Sequence, residues 1–275
     1  MLLLTAPFDR AGSPAAALPW SATGQAMAGT LGLAAVGLVI DQGGGVLAPF
    51  GRPLLSAAVH AGFLATGCAA AMGGSAGWRR SASRLAAVVV IASLMSRATP
   101  WGAISFLALP IVLFFDFARR PAAPLVGLAW PTPAAAALGL AAGLSLGTHL
   151  LIASSRTFGY VIQIDGWPQY LVAVAYDIGV SAVSAEWLFR GALFGRWWRR
   201  WSFELAAVLA TACAVTRYVL DPNLPQTVDA RLGAIFYMGL LGLTGCGLRA
   251  WSGSLVPGYL ATVGFFVLYR ALSSR

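Results

Sequence analysis

Apolar residues run through this chain in long blocks, and polar residues interrupt the blocks instead of alternating within them. Blocks with the about 17 to 25 residues of a membrane-crossing helix lie at 22–40, 53–74, 100–118, 133–153, 168–195, 202–220, 231–249 and 254–272, and a shorter one lies near 84–97. The pattern predicts an all-α protein, a polytopic transmembrane helical bundle of eight or nine spans. No repeat, low-complexity linker or soluble domain breaks it. The chain reads as one integrated membrane domain, with accessory transmembrane helices in 1–165 and a core in 166–275.

Composition agrees with burial in lipid, since 59% of the 275 residues are hydrophobic and only 10% are charged. A net charge of +9 would suit a nucleic-acid binder. The arginines, however, stand singly or in short clusters between apolar blocks, where the positive-inside rule places them. That distribution excludes nucleic acid and leaves membrane lipids as the expected surroundings. Every basic side chain is Arg and none is Lys, a bias of composition that decides nothing about function.

With the 84–97 block counted as a span, the N-terminal tail and alternate loops hold Arg10, then Arg79, Arg80 and Arg84, then Arg119 and Arg120, then Arg196, Arg199 and Arg200, and finally Arg249. The opposite loops hold Arg52, Arg97, Arg156 and Arg231, offset by Asp41, Asp165, Asp221 and Asp229. The clustered side is cytoplasmic by the rule, which predicts a cytoplasmic N-terminus; the expected location is a bacterial cytoplasmic membrane. The opening run MLLLTAPFDRAGSPAAALPW has no basic region before its short apolar stretch. It reads as a cytoplasmic or interfacial lead-in, not a cleavable signal.

Smaller features fit the same picture. Trp20, Trp78, Trp101, Trp130, Trp167, Trp197, Trp198, Trp201 and Trp251 fall at block ends, where an indole keeps its ring in lipid and its N–H near water. Gly139, Gly143 and Gly147 recur at four-residue spacing, which lets another helix of the same chain approach closely. Cys68, Cys213 and Cys246 are isolated within apolar blocks. They lack the paired spacing of a zinc or redox site and read as inert buried thiols, so neither a metal nor a cofactor is expected.

An ionisable side chain at membrane depth costs about 2.5–3.5 kcal/mol, so each one needs a partner or a purpose. The candidates are His60, His149, Asp177, Glu186, Arg190, Glu204 and Arg217. Glu204 lies near a block start and can reach the interface. His60 and His149 are expected to be satisfied core hydrogen-bonders. Glu186 and Arg190, four apart, share a helix face and can neutralise each other. Asp177, nine residues earlier, sits about half a turn away in an α-helix and needs its own partner, with Ser181 and Ser184 on its face.

The stretch AEWLFRG (Ala185 to Gly191) resembles the first motif of the CPBP family, the CAAX proteases and bacteriocin-processing proteins, intramembrane endopeptidases whose motif is usually EExxxR. WSGSLVPGYLATVGFF (Trp251 to Phe266) resembles the family's last helix, and ATACAVTRYV (Ala210 to Val219) stands where its FxxxH helix belongs. The likeness covers about 170–272 and implies a metal-independent protease whose first glutamate and second-motif histidine activate water, while a histidine and an asparagine of the last helix hold the oxyanion.

Those positions are here Ala185, Arg217, Thr262 and Phe266. Ala185 has no ionisable group, and a guanidinium cannot surrender its proton. Thr262 has one hydrogen bond to donate and Phe266 has none, which leaves little oxyanion stabilisation. Glu186 and Arg190 are the polar residues of the family set that remain. Arg217 is expected to reach into the former site and pair with Glu186 or Asp177, or else to meet Asp221 at the membrane surface.

The leading reading is thus a catalytically degenerate relative, a scaffold or binding subunit for another integral membrane protein or a lipid-like ligand. The alternatives are an active endopeptidase rearranged around Glu186 with His149 or His60, and a small transporter using the buried charges.

Overall fold

A computed structural model describes residues 20–72, 77–99, 101–117, 126–164, 166–219 and 227–273. The tail carrying Arg10, and with it Arg119, Arg120, Asp165 and Asp221, lies outside the described residues. The apolar blocks wind into helices α1 (Trp20–Gly43), α2 (Gly51–Ala71), α3 (Gly77–Ala98), α4 (Ala108–Phe117), α5 (Pro133–Thr157), α6 (Trp167–Trp197), α7 (Phe203–Val219), α8 (Val228–Ser252) and α9 (Val256–Tyr269). The protein is therefore an all-α helical bundle, as the hydrophobic pattern predicts. One short antiparallel pairing, Val161 with Ser273 and Ile162 with Leu272, supplements the helices.

Among the described residues six helices, α1, α2 with its preceding turn, α3, α5, α6 and α8, are long and apolar enough to cross a membrane. Side chains such as Leu31, Val39, Ile111, Phe115 and Leu232 point outward on them or on their neighbours. In water that surface would be costly, whereas lipid welcomes it. The chain is an integral membrane protein. The short 84–97 block proves to be part of α3, whose 22 residues are long enough to span. Arg79, Arg80 and Arg84 lie within its first turns instead of in a loop. By contrast α9 has only 14 residues, because the left-handed Gly253 (φ 71°) ends α8 and Pro257 opens the next helix.

The helices fall into two units. The first holds the described parts of 16–122 and 166–188, and the second those of 123–165 and 189–275. In the first, α1 packs on α2 and α2 on α3. Gly62 makes room for Thr30 and Gly67 for the Trp187 ring, so a Cβ at either position would collide. The Trp187 indole donates to the Leu64 carbonyl at 3.2 Å.

In the second unit α5 and α9 pack backbone to backbone. An added Cβ on Gly139 would strike the Pro257 carbonyl, one on Gly143 the Ala261 carbonyl, and one on Gly147 the Leu268 side chain. The four-residue glycine spacing therefore serves packing within the chain. Thr132 caps α5, its hydroxyl accepting from the Ala135 N–H at 3.3 Å with Pro133 behind it, an arrangement that satisfies a first-turn donor.

Two expectations about single residues change. Trp78 and Trp198 are 5% and 8% exposed, so these indoles fill the interior instead of the membrane border. Trp101, Trp130, Trp167 and Trp201 do face outward. Cys68 and Cys246 are buried, but Cys213 is exposed, because α7 turns that side away from its neighbours.

Candidate functional site

The motif-bearing helix α6 is not regularly wound. It is π-helical at Asp177–Ala182 and again at Glu186–Phe194, with one α turn between. A π-turn closes i→i+5 bonds and so carries the chain less far around the axis per residue. Two consequences follow for bearing. Glu186 and Arg190, at i and i+4, stay on one side of the helix. The half-turn offset expected between Asp177 and Glu186 for an α-helix shrinks. All three side chains are buried, at 3%, 3% and 4% exposure for Asp177, Glu186 and Arg190. Ala185, at the place of the family's first glutamate, is buried beside them in sequence.

In the first unit the polar residues meet across α2 and α6. His60 Nδ1 lies 2.7 Å from Ser184 Oγ, and its Nε2 lies 2.7 Å from the Tyr176 hydroxyl. Tyr176 continues to Ser56 Oγ at 2.8 Å, and Ser184 Oγ reaches the Ser181 carbonyl at 3.2 Å. Tyr176 also stands edge-on to Phe106 and to the imidazole, with ring centroids 5.3 and 5.6 Å apart. The histidine is 2% exposed and uses both nitrogens. Such a chain satisfies buried polar groups that would each be costly alone.

The second unit holds the positions aligned with the later motifs. Thr262 is buried and its hydroxyl donates to the Gly258 carbonyl of its own helix at 3.1 Å. Phe266 packs with Tyr218, Phe265 and Tyr269 at centroid separations of 6.2, 5.7 and 6.0 Å. The Arg217 guanidinium lies 4.4 Å from the centroid of the Tyr218 ring, half-buried. His149 also belongs here, with Nδ1 2.9 Å from the Tyr237 hydroxyl. Its ring is on an outward face of α5. Glu204 is an exposed first-turn acid of α7, the position where a carboxylate favours the helix dipole.

Beside Phe266 a cavity of about 350 Å³ opens where α5, α7 and α9 end and α8 begins. Tyr218, Tyr237, Phe265, Phe266 and Tyr269 form an aromatic wall, and Asp229 stands in the lining with Tyr160. The Tyr160 hydroxyl donates to Asp229 Oδ2 at 3.1 Å. Burial and the neighbouring Asp229 push the Tyr160 phenol above its usual range, which keeps the donor protonated.

Sequence reasoning missed three of these residues. Arg249, assigned to a loop by charge topology, lies within α8 at 1% exposure. Its Nη1 donates to the Gly191 carbonyl at 2.8 Å, and its guanidinium lies 5.5 Å from the Phe194 ring centroid. A Cβ on Gly195 would collide with that guanidinium, so the pair Gly191 and Gly195 just beyond the AEWLFR run carried the signal. Tyr176 and Asp229 left a weaker trace, Tyr176 as a single polar group within the 168–195 block and Asp229 as one just before the 231–249 block.

No protein-family model, curated protein or solved structure matches this chain.

Proposed function

We propose that this protein keeps the helical framework of the CPBP intramembrane proteases, has lost their hydrolytic chemistry, and serves the membrane as a binding or scaffold subunit. The observation that carries the reading is Phe266. It stands where the resemblance puts the oxyanion-binding asparagine, and its ring instead completes the aromatic wall of a cavity. Thr262 supports it, since its hydroxyl proton goes to the Gly258 carbonyl, away from any developing oxyanion. Arg217 supports it too, because a guanidinium over an aromatic ring supplies charge but no base. Glu186 and Arg190 then remain as buried structural residues of α6, without hydrolysing anything.

The experiment is a cleavage assay on the purified protein in proteoliposomes, with transmembrane and prenylated peptides as substrates and fragments read by mass spectrometry. The expected result is no cleavage above that of Glu186→Gln, while that variant lowers thermal stability or assembly. Cleavage by the natural chain that is abolished in Glu186→Gln would overturn the reading, and loss of the same activity in His60→Gln or His149→Gln would identify the histidine recruited.

A further inference from the structure

We infer that the cavity of the second unit binds an amphiphile with a cationic ammonium head, the head resting against Asp229 and the tyrosine rings and the alkyl chain lying over Phe265, Phe266 and Leu272. The inference deepens the binding reading above and rests on it. The cavity's volume of about 350 Å³ falls in the range of small-molecule sites. Three properties of the lining select the ligand.

Charge comes first. Asp229 is the one acidic side chain among the residues that line the cavity, and no arginine or histidine joins it there. The guanidiniums of Arg217 and Arg270 lie against the Tyr218 and Tyr269 rings, 4.4 and 5.6 Å from their centroids, but neither belongs to the lining, so the carboxylate of Asp229 is the charge that a head inside the cavity meets. Asp229 is held in place by the Tyr160 hydroxyl at 3.1 Å, and as a first-turn acid of α8 it sits where the helix dipole favours negative charge.

Ring geometry comes second. Tyr218 adjoins Phe266, Phe266 adjoins Phe265, and Phe265 lies 5.8 Å from Tyr237 and is stacked 6.3 Å from Tyr269. A wall of aromatic faces attracts an alkylammonium through the ring quadrupoles, the means by which aromatic cages take quaternary ammonium groups. The third property is placement. Phe158 and Leu232 of the lining are exposed, at 57% and 60%. They leave the rim apolar at the level where several helices end, and a single alkyl chain can enter there from lipid.

The test uses the full chain in nanodiscs of phosphatidylglycerol, which carries no ammonium group, with empty discs subtracted. Radiolabelled decyltrimethylammonium is the probe, and decyl glucoside, with the same tail and a neutral head, is the competitor. The expected result is saturable, stoichiometric binding that unlabelled decyltrimethylammonium displaces at about tenfold lower concentration than decyl glucoside does. Asp229→Asn should weaken binding by a similar factor, and Tyr269→Leu, which leaves the carboxylate intact, by several-fold. Dihexanoylphosphatidylcholine separates the sources of the head. Displacement by the phospholipid assigns a lipid ligand, and displacement by decyltrimethylammonium alone assigns a diffusible amphiphile.

Equal displacement by decyl glucoside, or no binding above empty discs, would overturn the inference with the natural chain alone, whatever the variants do. Either result would leave the non-hydrolytic reading standing, since that reading fails only on peptide cleavage.

Discussion

Each unit contains a histidine bonded to a tyrosine, and the two pairs lead different lives. His60 is shut inside the first unit, with Ser184 on one nitrogen and Tyr176 on the other, and the chain of bonds ends at Ser56 and the Ser181 carbonyl. His149 makes its bond to Tyr237 from an outward face, and Tyr237 in turn lines an open cavity. In one place polar groups consume one another's hydrogen-bonding capacity and the helices close over them. In the other, aromatic bulk holds helices apart at their ends and leaves room beside one carboxylate. Buried polarity by itself thus marks architecture here, and unfilled space beside a charge is what the proposed ligand requires.

The strongest way to break the comparison is to spoil the packing beneath the cavity. Gly143→Val drives a side chain into the Ala261 carbonyl, and overpacking against backbone should cost about 3 kcal/mol or more, seen as loss of the folded species in denaturant titration in micelles. A result within error of the natural chain would mean that α5 and α9 do not meet as described. Next in size is His60→Leu, which removes two buried hydrogen bonds and leaves the Tyr176 hydroxyl with Ser56 alone and the Ser184 hydroxyl with the Ser181 carbonyl alone, and it should destabilise by about 2 kcal/mol. His149→Leu sets the other side of the comparison at about 0.6 kcal/mol, the usual worth of an interhelical hydrogen bond in a membrane. Equal effects of the two leucine variants would erase the distinction between closed and open units.

Arg249→Met should cost about 2 kcal/mol, because the charge-assisted bond to the Gly191 carbonyl is lost from a packed interior; thermal unfolding with Glu204→Gln as a surface control measures it. The smallest effect belongs to pH. The Tyr160 phenol is raised by burial and then by Asp229, so the folded state favours the neutral hydroxyl. Its contribution is constant below about pH 10, the value of a free tyrosine, and falls as pH rises through the higher folded value. Ultraviolet titration should count one late-ionising phenol fewer in Tyr160→Phe than in the natural chain.

Much of the bundle was legible because lipid imposes a simple rule on composition. Within Pro133–Thr157 the ladder of Gly139, Gly143 and Gly147 announced close packing, and the seam with Pro257 and Ala261 realises it. Bearing around α6 was less legible. Nothing in SAEWLFRG shows whether a turn closes at i+4 or i+5, since both use the same apolar surface, and the winding fixes where Asp177 lies relative to Glu186. Arg249 was misassigned because charge topology treats every arginine as a surface anchor, whereas this one donates to a glycine carbonyl 58 residues away in sequence. The cavity was not legible at all. Its lining draws residues from α5, α7, α8 and α9, and no spacing within any one helix records that the four converge.

The guanidinium of Arg249 also has something to say about how the protein is made. A segment with a cation this deeply enclosed enters hydrocarbon at a penalty that the Gly191 carbonyl helps to relieve. The end of α6 is synthesised first and α8 afterwards. The acceptor for the cation of α8 is therefore already part of the chain when α8 is made.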